Sequence, residues 1–505
     1  MSASGEAAVI GVDLGTSSTK GVLMTADGRS LGEARAEYRM HSPHSGWNEN
    51  DPDDWRAAFR EVVSRLAAEA SAQGLRVAGI GLVAQRDPFV LLDADGRPLR
   101  RAISWTDQRA RVQTRRMRER HGDARLLEIT GARPIVGLGL GNLLWTKDEE
   151  PDVWAATRRV VSPKDYVLGA FGSRTETDLT TPTRALAFDI AAGEWSDELL
   201  GPEGVSASLF DSATLRPWEE WGQLSARDAE LLGVPTGTVL AVGGSDDQAA
   251  TLGGGAVAPG EICLGTGTCS DWRLVLQQYT PDLSGIGDTS PHVAPGTFVR
   301  EVTIDSAGSA LRWFRNTIVP ELGYPEIVDL AMTAPRGSAG VRFYPFVDGG
   351  QRAPYYLDEA SGVFFGITSH HGREHLARAV IEGIAFLYPR TWELLVGGQD
   401  VETAAPLTIV DGEAGSASWN AVKADILDHP IRATEVTEAA AVGGAVLAAV
   451  AIGWFSTPAA AAASMVRTLP AVEPDAVAAA EYAGIREDYL ATFDTIAEAF
   501  TKGEH

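Results

Sequence analysis

The sequence predicts an α/β protein of duplicated architecture, with strands and helices in two related halves. Three observations carry this. The chain has 505 residues, more than one hydrophobic core organises, so at least two domains are expected. Short apolar runs ending in glycine turns alternate with segments whose apolar residues recur at helical spacing, the pattern of strands feeding helices. A strand–turn–strand pattern rich in Gly and Thr occurs twice, about 250 residues apart, which points to a duplicated architecture in pattern rather than in detailed identity.

Composition narrows the function classes. The 44% hydrophobic and 22% charged residues suit a soluble globular chain. Lys and Arg number 43 against 68 Asp and Glu, a net charge of −25. That excludes a general nucleic-acid binder and docking on an anionic membrane. It leaves phosphate ligands open, because backbone amides and a metal ion hold phosphate locally. Cys263 and Cys269 are the two cysteines, so a disulfide scaffold is not expected and a reducing cytoplasm fits. The opening MSASGEAAVIGVDLG has no basic region followed by a long apolar run, so no signal peptide is expected. The Ala-rich run at 438–454 is too short and Gly-rich for a membrane span, and a buried helix is expected there.

In chain order, Val9 to Asp13 is an apolar run ending in an acid, followed by Gly15-Thr16-Ser17-Ser18-Thr19 and a second run from Gly21 to Met24. A turn of Gly and hydroxyl residues offers N–H and O–H donors to a phosphate. Asp13 at its entrance has the chemistry to hold Mg²⁺ directly or through water. Lys20 does not complete a P-loop, and no Gly-x-Gly-x-x-Gly supports a dinucleotide fold. Asp51-Pro52-Asp53-Asp54 starts a helix by cap and dipole chemistry. Trp55, Phe59, Val62, Val63 and Leu66 follow at helical spacing, with Gly46-Trp47 expected on the same core.

Val77 to Val83 predicts a strand leading into Gln85-Arg86-Asp87. These side chains can bond several hydroxyls of a sugar or polyol, or can form a solvated loop with an Arg–Asp pair. Ile103 to Asp107 predicts a strand ending in Trp105 and an acid, and an aromatic ring beside carboxylates suits a sugar's C–H face. Gln113 to His121 reads as a solvated basic helix face. Ser162 to Tyr166 reads as a turn into a helix, and Asp178 to Arg184 as a polar strand-end cluster.

Val239 to Val242 predicts a buried strand, and Gly243-Gly244-Ser245-Asp246-Asp247-Gln248 then opens a helix. Carboxylates just past a strand end sit where open α/β sheets place ligands. Such a carboxylate can take a proton from a hydroxyl, or Asp246 can simply cap the helix.

Glu261 to Cys269 repeats the first hairpin pattern with Gly265, Thr266 and Gly267 at its turn. Both cysteines read as small core fillers, with a reactive Cys269 as the other reading. Asp348 to Pro354 reads as a loop and Gly362 to Ile367 as a strand. A helix carrying Leu376, Val380, Ile384 and Leu387 follows, ended or kinked at Pro389. His370, His371 and His375 have no accompanying acid pattern, so a metal site is not expected there. Leu407 to Val410 predicts a strand entering Asp411-Gly412-Glu413-Ala414, with Trp419 on the next helix. Gly443 and Gly444 suit either close approach of a flat base or close helix packing. The last thirty residues read as one amphipathic helix and a short frayed tail.

Taken together these motifs resemble the FGGY carbohydrate kinases over roughly residues 8–490. The most specific piece is Gly362-x-Phe364-x-Gly366-Ile367, seven residues, then His375-Leu376-x-x-Ala379-Val380-Ile381-Glu382. Asp13-Leu-Gly-Thr-Ser, Trp105-x-Asp107-x-Arg109, Gly244-Ser-Asp246-Asp247-Gln248 and Asp411-Gly412-Glu-Ala414 fall in family order. The resemblance implies a two-lobed actin-like (ribonuclease H-like) ATPase fold, duplicated mixed sheets flanked by helices, with a cleft between lobes. It implies an N-terminal lobe, 1–251, on the sugar side, and a C-terminal lobe, 252–505, on the nucleotide side. It implies Asp246 as catalytic base, Asp13 for Mg²⁺, and Gly15, Thr16, Gly265, Thr266 and Gly267 along the phosphate path. Gly412, Glu413 and Ala414 would border adenine; Gln85, Arg86, Asp87, Trp105 and Asp247 would border the substrate.

Two departures stand out. Asn142 occupies a position where the family's first signature usually has Lys. Gln85-Arg86-Asp87-Pro88 is more similar to the Gln-Arg-Glu of glycerol kinases than to the Gln-Met-His-Gly of xylulose kinases, which the rest of the chain resembles more. The implied activity is ATP-dependent phosphorylation of a small sugar or polyol hydroxyl, a xylulose-like ketopentose first and glycerol, another polyol or an aldonic acid next. ATP and Mg²⁺ are the implied cofactors, a cytoplasmic enzyme is expected, and a homodimer is one assembly compatible with the resemblance. A regulatory or chaperone-type ATPase without a sugar acceptor is the alternative from another class.

Overall fold

The computed structural model describes residues 6–351, 357 and 359–502. Residues 1–5 of the N-terminal reading, 352–354 of the expected loop and the last three residues of the expected tail lie outside the described residues. The chain divides into two compact units. One gathers Met1–Val257, Gln277–Val299 and Glu438–Arg467; the other gathers Ala258–Leu276, Arg300–Thr437 and Thr468–His505.

The first unit contains β1 (Ala7–Leu14), β2 (Ser18–Met24), β3 (Ser30–Glu37), α1 (Pro52–Ala72), β4 (Arg76–Ala84), β5 (Glu220–Gln223), β6 (Val239–Ala241) and α2 (Asp246–Gly253). Its sheet runs β5-β6-β4-β1-β2-β3. β1 is antiparallel to β2, with Asp13 opposite Lys20, and parallel to β4; β6 is parallel to β4. The Asp51 carboxylate accepts from the Asp53 N–H and caps α1, and Pro52 occupies its first turn. Trp55, Phe59, Val62, Val63 and Leu66 are wholly buried against Ile10, Val12, Ile80 and Leu82. Each such side chain contributes about 1.5–3 kcal/mol of burial energy. Trp47 does not join this core, contrary to expectation. It packs on Trp145, with ring centroids 5.2 Å apart, in a separate cluster with Ile103 and Ala110, because the Arg109 guanidinium stacks over its ring at 3.8 Å.

The second unit contains β7 (Ile262–Thr266), β8 (Ser270–Leu276), α3 (Gly308–Thr317), α4 (Arg373–Ala385), β9 (Leu407–Val410), α5 (Ala417–Leu427) and β10 (Ile431–Ala433). The adjacent strands β8-β7-β9-β10 pair antiparallel, parallel and parallel. That is the order and sense of β2-β1-β4-β6 in the first unit, so the duplication expected from the two hairpins extends to four strands. Pro389 ends α4's run, as expected, and sits in the first turn of a following helix, Tyr388–Val396. Cys263 is buried in β7, where burial pushes its thiol up to about 12. Cys269 is no core filler: it lies in the β7–β8 turn, outside both strands, and is half-buried.

The Ala-rich run forms α6 (Ala439–Ala451), which packs across β1 and β4 of the first unit. A Cβ at Gly11 would lie 1.8 Å from Ala441 O, and one at Gly81 2.0 Å from Gly444 O. A Cβ at Gly443 would lie 2.0 Å from Ala249 O of α2. The glycines on helix and sheet thus serve backbone-to-backbone packing. Among the described residues no helix is long and apolar enough to cross a membrane.

Candidate active site

In the first unit the acid pair follows β6 through a tight turn. Gly243 has φ of 71°, a left-handed conformation that suits Gly, and its missing Cβ leaves room for Leu82 O. Asp246 and Asp247 open α2. Ser245, not Asp246, is the N-cap of α2, and no side chain caps the helix; Asp246 Oδ1 accepts only the amide of its neighbour Asp247 at 3.0 Å. Asp247 Oδ2 accepts from Arg86 Nη2 at 2.6 Å, and the Arg86 side chain is only 2% exposed. Burial pushes the Asp246 carboxyl well above the usual range. The charges of Asp247 and Asp13 push the same way, and Arg86 opposes them.

The residues after β4 are buried rather than forming a solvated loop. Arg86 pairs with Asp247, not with its sequence neighbour Asp87; Asp87 instead accepts from Arg184 at 3.1 Å, and Arg184 also donates to Asp288 at 2.7 Å. Gln85 Nε2 donates to Gly15 O at 3.2 Å, and Trp105 Nε1 donates to Thr16 Oγ1 at 3.0 Å. Asn50 Nδ2 donates to Thr16 O at 3.1 Å, and Tyr38 Oη donates to Gly15 O. The β1–β2 turn and the polar residues Gln85 and Trp105 therefore form one hydrogen-bonded set. The strand expected through Asp107 is shorter, Ala102–Ile103. It stops there because Asp107 turns inward to accept from the Asn48 amide at 2.6 Å and from Arg109 Nη2 at 2.8 Å.

In the second unit a cavity of about 520 Å³ opens beside the β7–β8 turn. Thr266 and Gly267 line one end, Gly412 and Glu413 a second wall, and Leu311 and Trp419 apolar surface. Thr266 Oγ1 donates to Val410 O at 2.8 Å and accepts from the Glu413 N–H at 3.2 Å, which staples the 412–413 turn to the hairpin. Glu413 also accepts from buried Lys423 at 2.6 Å, and Lys423 lies 4.3 Å over the Trp419 ring. Gly265 and Ala414 are not among the cavity's walls: Gly265 lies within β7 and Ala414 is 2% exposed.

Several residues carried no sequence signal. Leu311, Arg312 and Tyr324 line the cavity from helices with ordinary amphipathic spacing. Lys164, read in sequence as part of a turn into a helix and of a segment similar to that of xylulose kinases, is 1% exposed and lies between Asp165 and Asp178 at 2.7 and 3.4 Å. Burial works against its charge, but the two carboxylates outweigh it and raise its pKa. Asn142 is buried, and its Nδ2 donates to Gly137 O at 2.8 Å. Glu382, from the most specific motif, is 1% exposed. It accepts from Arg378 at 2.6 Å, Tyr482 at 2.7 Å and the Gly337 amide at 3.2 Å, so it ties the fold together. His371 Nδ1 and His375 Nδ1 accept local backbone N–H groups of Thr368 and Gly372. Among the described residues no three His, Cys, Asp or Glu side chains gather as a metal cluster.

Comparison with known proteins finds two family domains in succession along the chain. The N-terminal domain of the FGGY family of carbohydrate kinases matches residues 8–253, and its C-terminal domain matches residues 260–452. The chain is 30% identical to a xylulose kinase of Lactococcus lactis over 452 residues, 89% of each chain. It is 30% identical to a glycerol kinase of Methylobacterium nodulans over 467 residues, 89% of this chain and 90% of that one. The crystal structure of xylulose kinase from Rhodospirillum rubrum superposes with a TM-score of 0.86 at 28% identity, covering 98% of this chain and all of the other. The two mixed sheets with their helices are those of the two-domain actin-like ATPase fold.

Proposed function

The chain belongs to the FGGY family of carbohydrate kinases, and from that premise we propose that it transfers the γ-phosphoryl group of ATP to a hydroxyl of a xylulose-like ketopentose. The carrying observation is the carboxylate pair Asp246–Asp247 at a strand-end turn, with Arg86 held on Asp247 at 2.6 Å. Asp246 accepts the hydroxyl proton as that oxygen attacks phosphorus in line. Its raised pKa makes it a stronger base than an ordinary carboxylate. A base of this kind is worth about 10²–10⁴ in rate. Gln85, Arg86, Asp87 and Asp247 orient the other hydroxyls, and the Trp105 ring, 36% exposed, offers a face to C–H groups.

In this reading residues 1–251 hold the sugar and 252–505 the nucleotide. Gly15, Thr16, Thr266 and Gly267 border the phosphate path, and Gly412 and Glu413 border adenine, with Leu311 and Trp419 as its apolar surface, while Gly265 and Ala414 act from behind the walls as packing residues. Asp13 ends β1 close enough to Asp246 to raise its pKa. A carboxylate in that acidic surrounding fits a hard cation held mainly by phosphate oxygens and water, so Asp13 would hold Mg²⁺. When bound, Mg²⁺ neutralises charge on the phosphates. A cytoplasmic setting suits ATP as donor.

A second assignment of the base has its own observation. The Asp247 carboxylate touches Arg86 of the substrate segment at 2.6 Å, whereas Asp246 Oδ1 is held on the neighbouring Asp247 amide. Asp247 is therefore the second candidate for proton acceptor. For the substrate, Gln85-Arg86-Asp87 and the similarity to a glycerol kinase make glycerol the second candidate. The test is a coupled ADP-release screen over ketopentoses, glycerol, other polyols and aldonic acids. A kcat/KM highest for xylulose supports the reading. A highest value for glycerol or an aldonic acid replaces the substrate, and no stimulation by any hydroxyl compound overturns the kinase assignment in favour of an ATPase without a sugar acceptor.

A further inference from the structure

The turn that carries both aspartates is gripped from outside by a chain of hydrogen bonds whose direction is fixed. Lys164 Nζ donates to Val242 O at 3.1 Å, at the last residue before the turn. Asp178, wholly buried, faces the same ammonium at 3.4 Å. The Asp178 carboxylate accepts from the Thr180 amide at 2.7 Å, the Thr181 amide at 3.3 Å and the hydroxyls of Thr180 and Thr181. Thr180 is likewise wholly buried, and its Oγ1 also meets the Ser245 N–H at 2.9 Å.

A hydroxyl has a single proton to donate. Thr180 donates it to an acceptor-only carboxylate, so toward Ser245 its oxygen can only accept. Ser245 is the residue from which α2 starts, immediately ahead of Asp246. The approach depends on Gly244, where a Cβ would lie 2.8 Å from Thr180 Oγ1 and 3.4 Å from Asp178 Oδ2. The strand side is fixed separately, by the Ala84 N–H on Gly244 O at 3.1 Å.

We infer that Thr180 is a positioning residue for the reaction: oriented by Asp178, and with Lys164 neutralising that carboxylate, it holds the Ser245 amide and so sets where the Asp246–Asp247 pair stands. The inference rests on the reading of that pair as the proton-accepting site. It does not depend on which of the two takes the proton. A buried N–H left without its acceptor costs free energy that the turn can relieve only by moving. A displacement of even about 1 Å at a catalytic group can lower turnover about a hundredfold.

The experiment compares Thr180→Val, Thr180→Ala and Thr180→Ser in the full chain. Measurements are kcat and KM for ATP and for the sugar found in the screen, and amide hydrogen exchange over residues 243–248. Val and Ala should lower kcat at least about tenfold, leave KM for ATP within twofold, and speed exchange at Ser245. Ser, which keeps the hydroxyl, should restore kcat and slow exchange to wild-type values. If the Val variant is insoluble, the contrast of Ala with Ser carries the test. Wild-type kcat in Thr180→Ala, or a Ser variant as impaired as Ala, overturns the inference. Near-normal turnover in both Asp246→Asn and Asp247→Asn would instead overturn the underlying reading of the acid pair.

Discussion

Arg86 and Asp247 lie 161 residues apart in sequence, and their side chains meet at 2.6 Å. The contact joins the end of β4 to the start of α2, and it places one buried cation beside three acids, Asp247, Asp246 and Asp13. The guanidinium lowers the cost of charging that cluster without abolishing it, so one member stays hard to ionise.

That imbalance predicts opposite effects of Asp246→Asn on stability and on turnover. The folded-state pKa of Asp246 lies above its unfolded value, so protonation favours the fold; this contribution is complete at low pH and is lost as pH rises through the folded pKa. Replacing the carboxylate by a neutral amide should raise Tm at pH 7 by about 2 °C or more, and the gain should vanish in acid. Turnover should fall at least about 10²-fold, and wild-type kcat should decline on the acid side as Asp246 takes up a proton. Thermal melts and a kcat–pH profile check both. Asp247→Asn measured alongside decides between the two aspartates: the variant that retains kcat is not the base.

Arg86→Met should raise KM for the sugar at least about tenfold while KM for ATP changes less than twofold. The loss combines a missing hydroxyl contact with an Asp247 carboxylate deprived of its buried cation, a costly deletion. Arg86→Lys should restore little, because an ammonium lacks the planar fork that reaches two partners at once. Steady-state kinetics with each substrate varied separately reads the effect, and a selective rise in the ATP KM would contradict it.

Gly267→Val tests the cavity beside the second hairpin. Nothing lies within 4 Å of a Cβ placed at Gly267, and the residue lines the cavity, so the substitution fills ligand space while the surrounding fold tolerates it. KM for ATP should rise at least about tenfold with Tm within about 2 °C of wild type. Calorimetric titration with ADP gives the same answer without turnover.

Gly11→Ala should destabilise the first unit by about 3 kcal/mol, the upper range for overpacking, because the new Cβ would lie 1.8 Å from Ala441 O of α6. Gly484→Ala is the control. It lies exposed within helix Ala476–Lys502 with open space around its Cβ, and it should stabilise by about 0.5–1 kcal/mol through helix propensity. Denaturant unfolding of the two variants separates packing from propensity.

The sequence by itself determined the elements and the family. Capping at Asp51, the spacing of Trp55, Phe59 and Val62, and the two Gly-Thr hairpins are local signals, written in neighbouring residues, and the elements formed where they point. The resemblance to sugar kinases was likewise readable from short motifs in order. Tertiary structure alone decided the partners. Arg86 reaches Asp247 rather than Asp87, Trp47 stacks on Arg109 rather than on α1, and Gly443 meets Ala249 rather than a ligand. Lys164, Thr180 and Leu311 acquire their places only when distant strands and helices close around them. The physical reason is range: propensity and capping act over a few residues, whereas buried charge, hydrogen-bond direction and backbone contact depend on what folding brings from elsewhere in the chain.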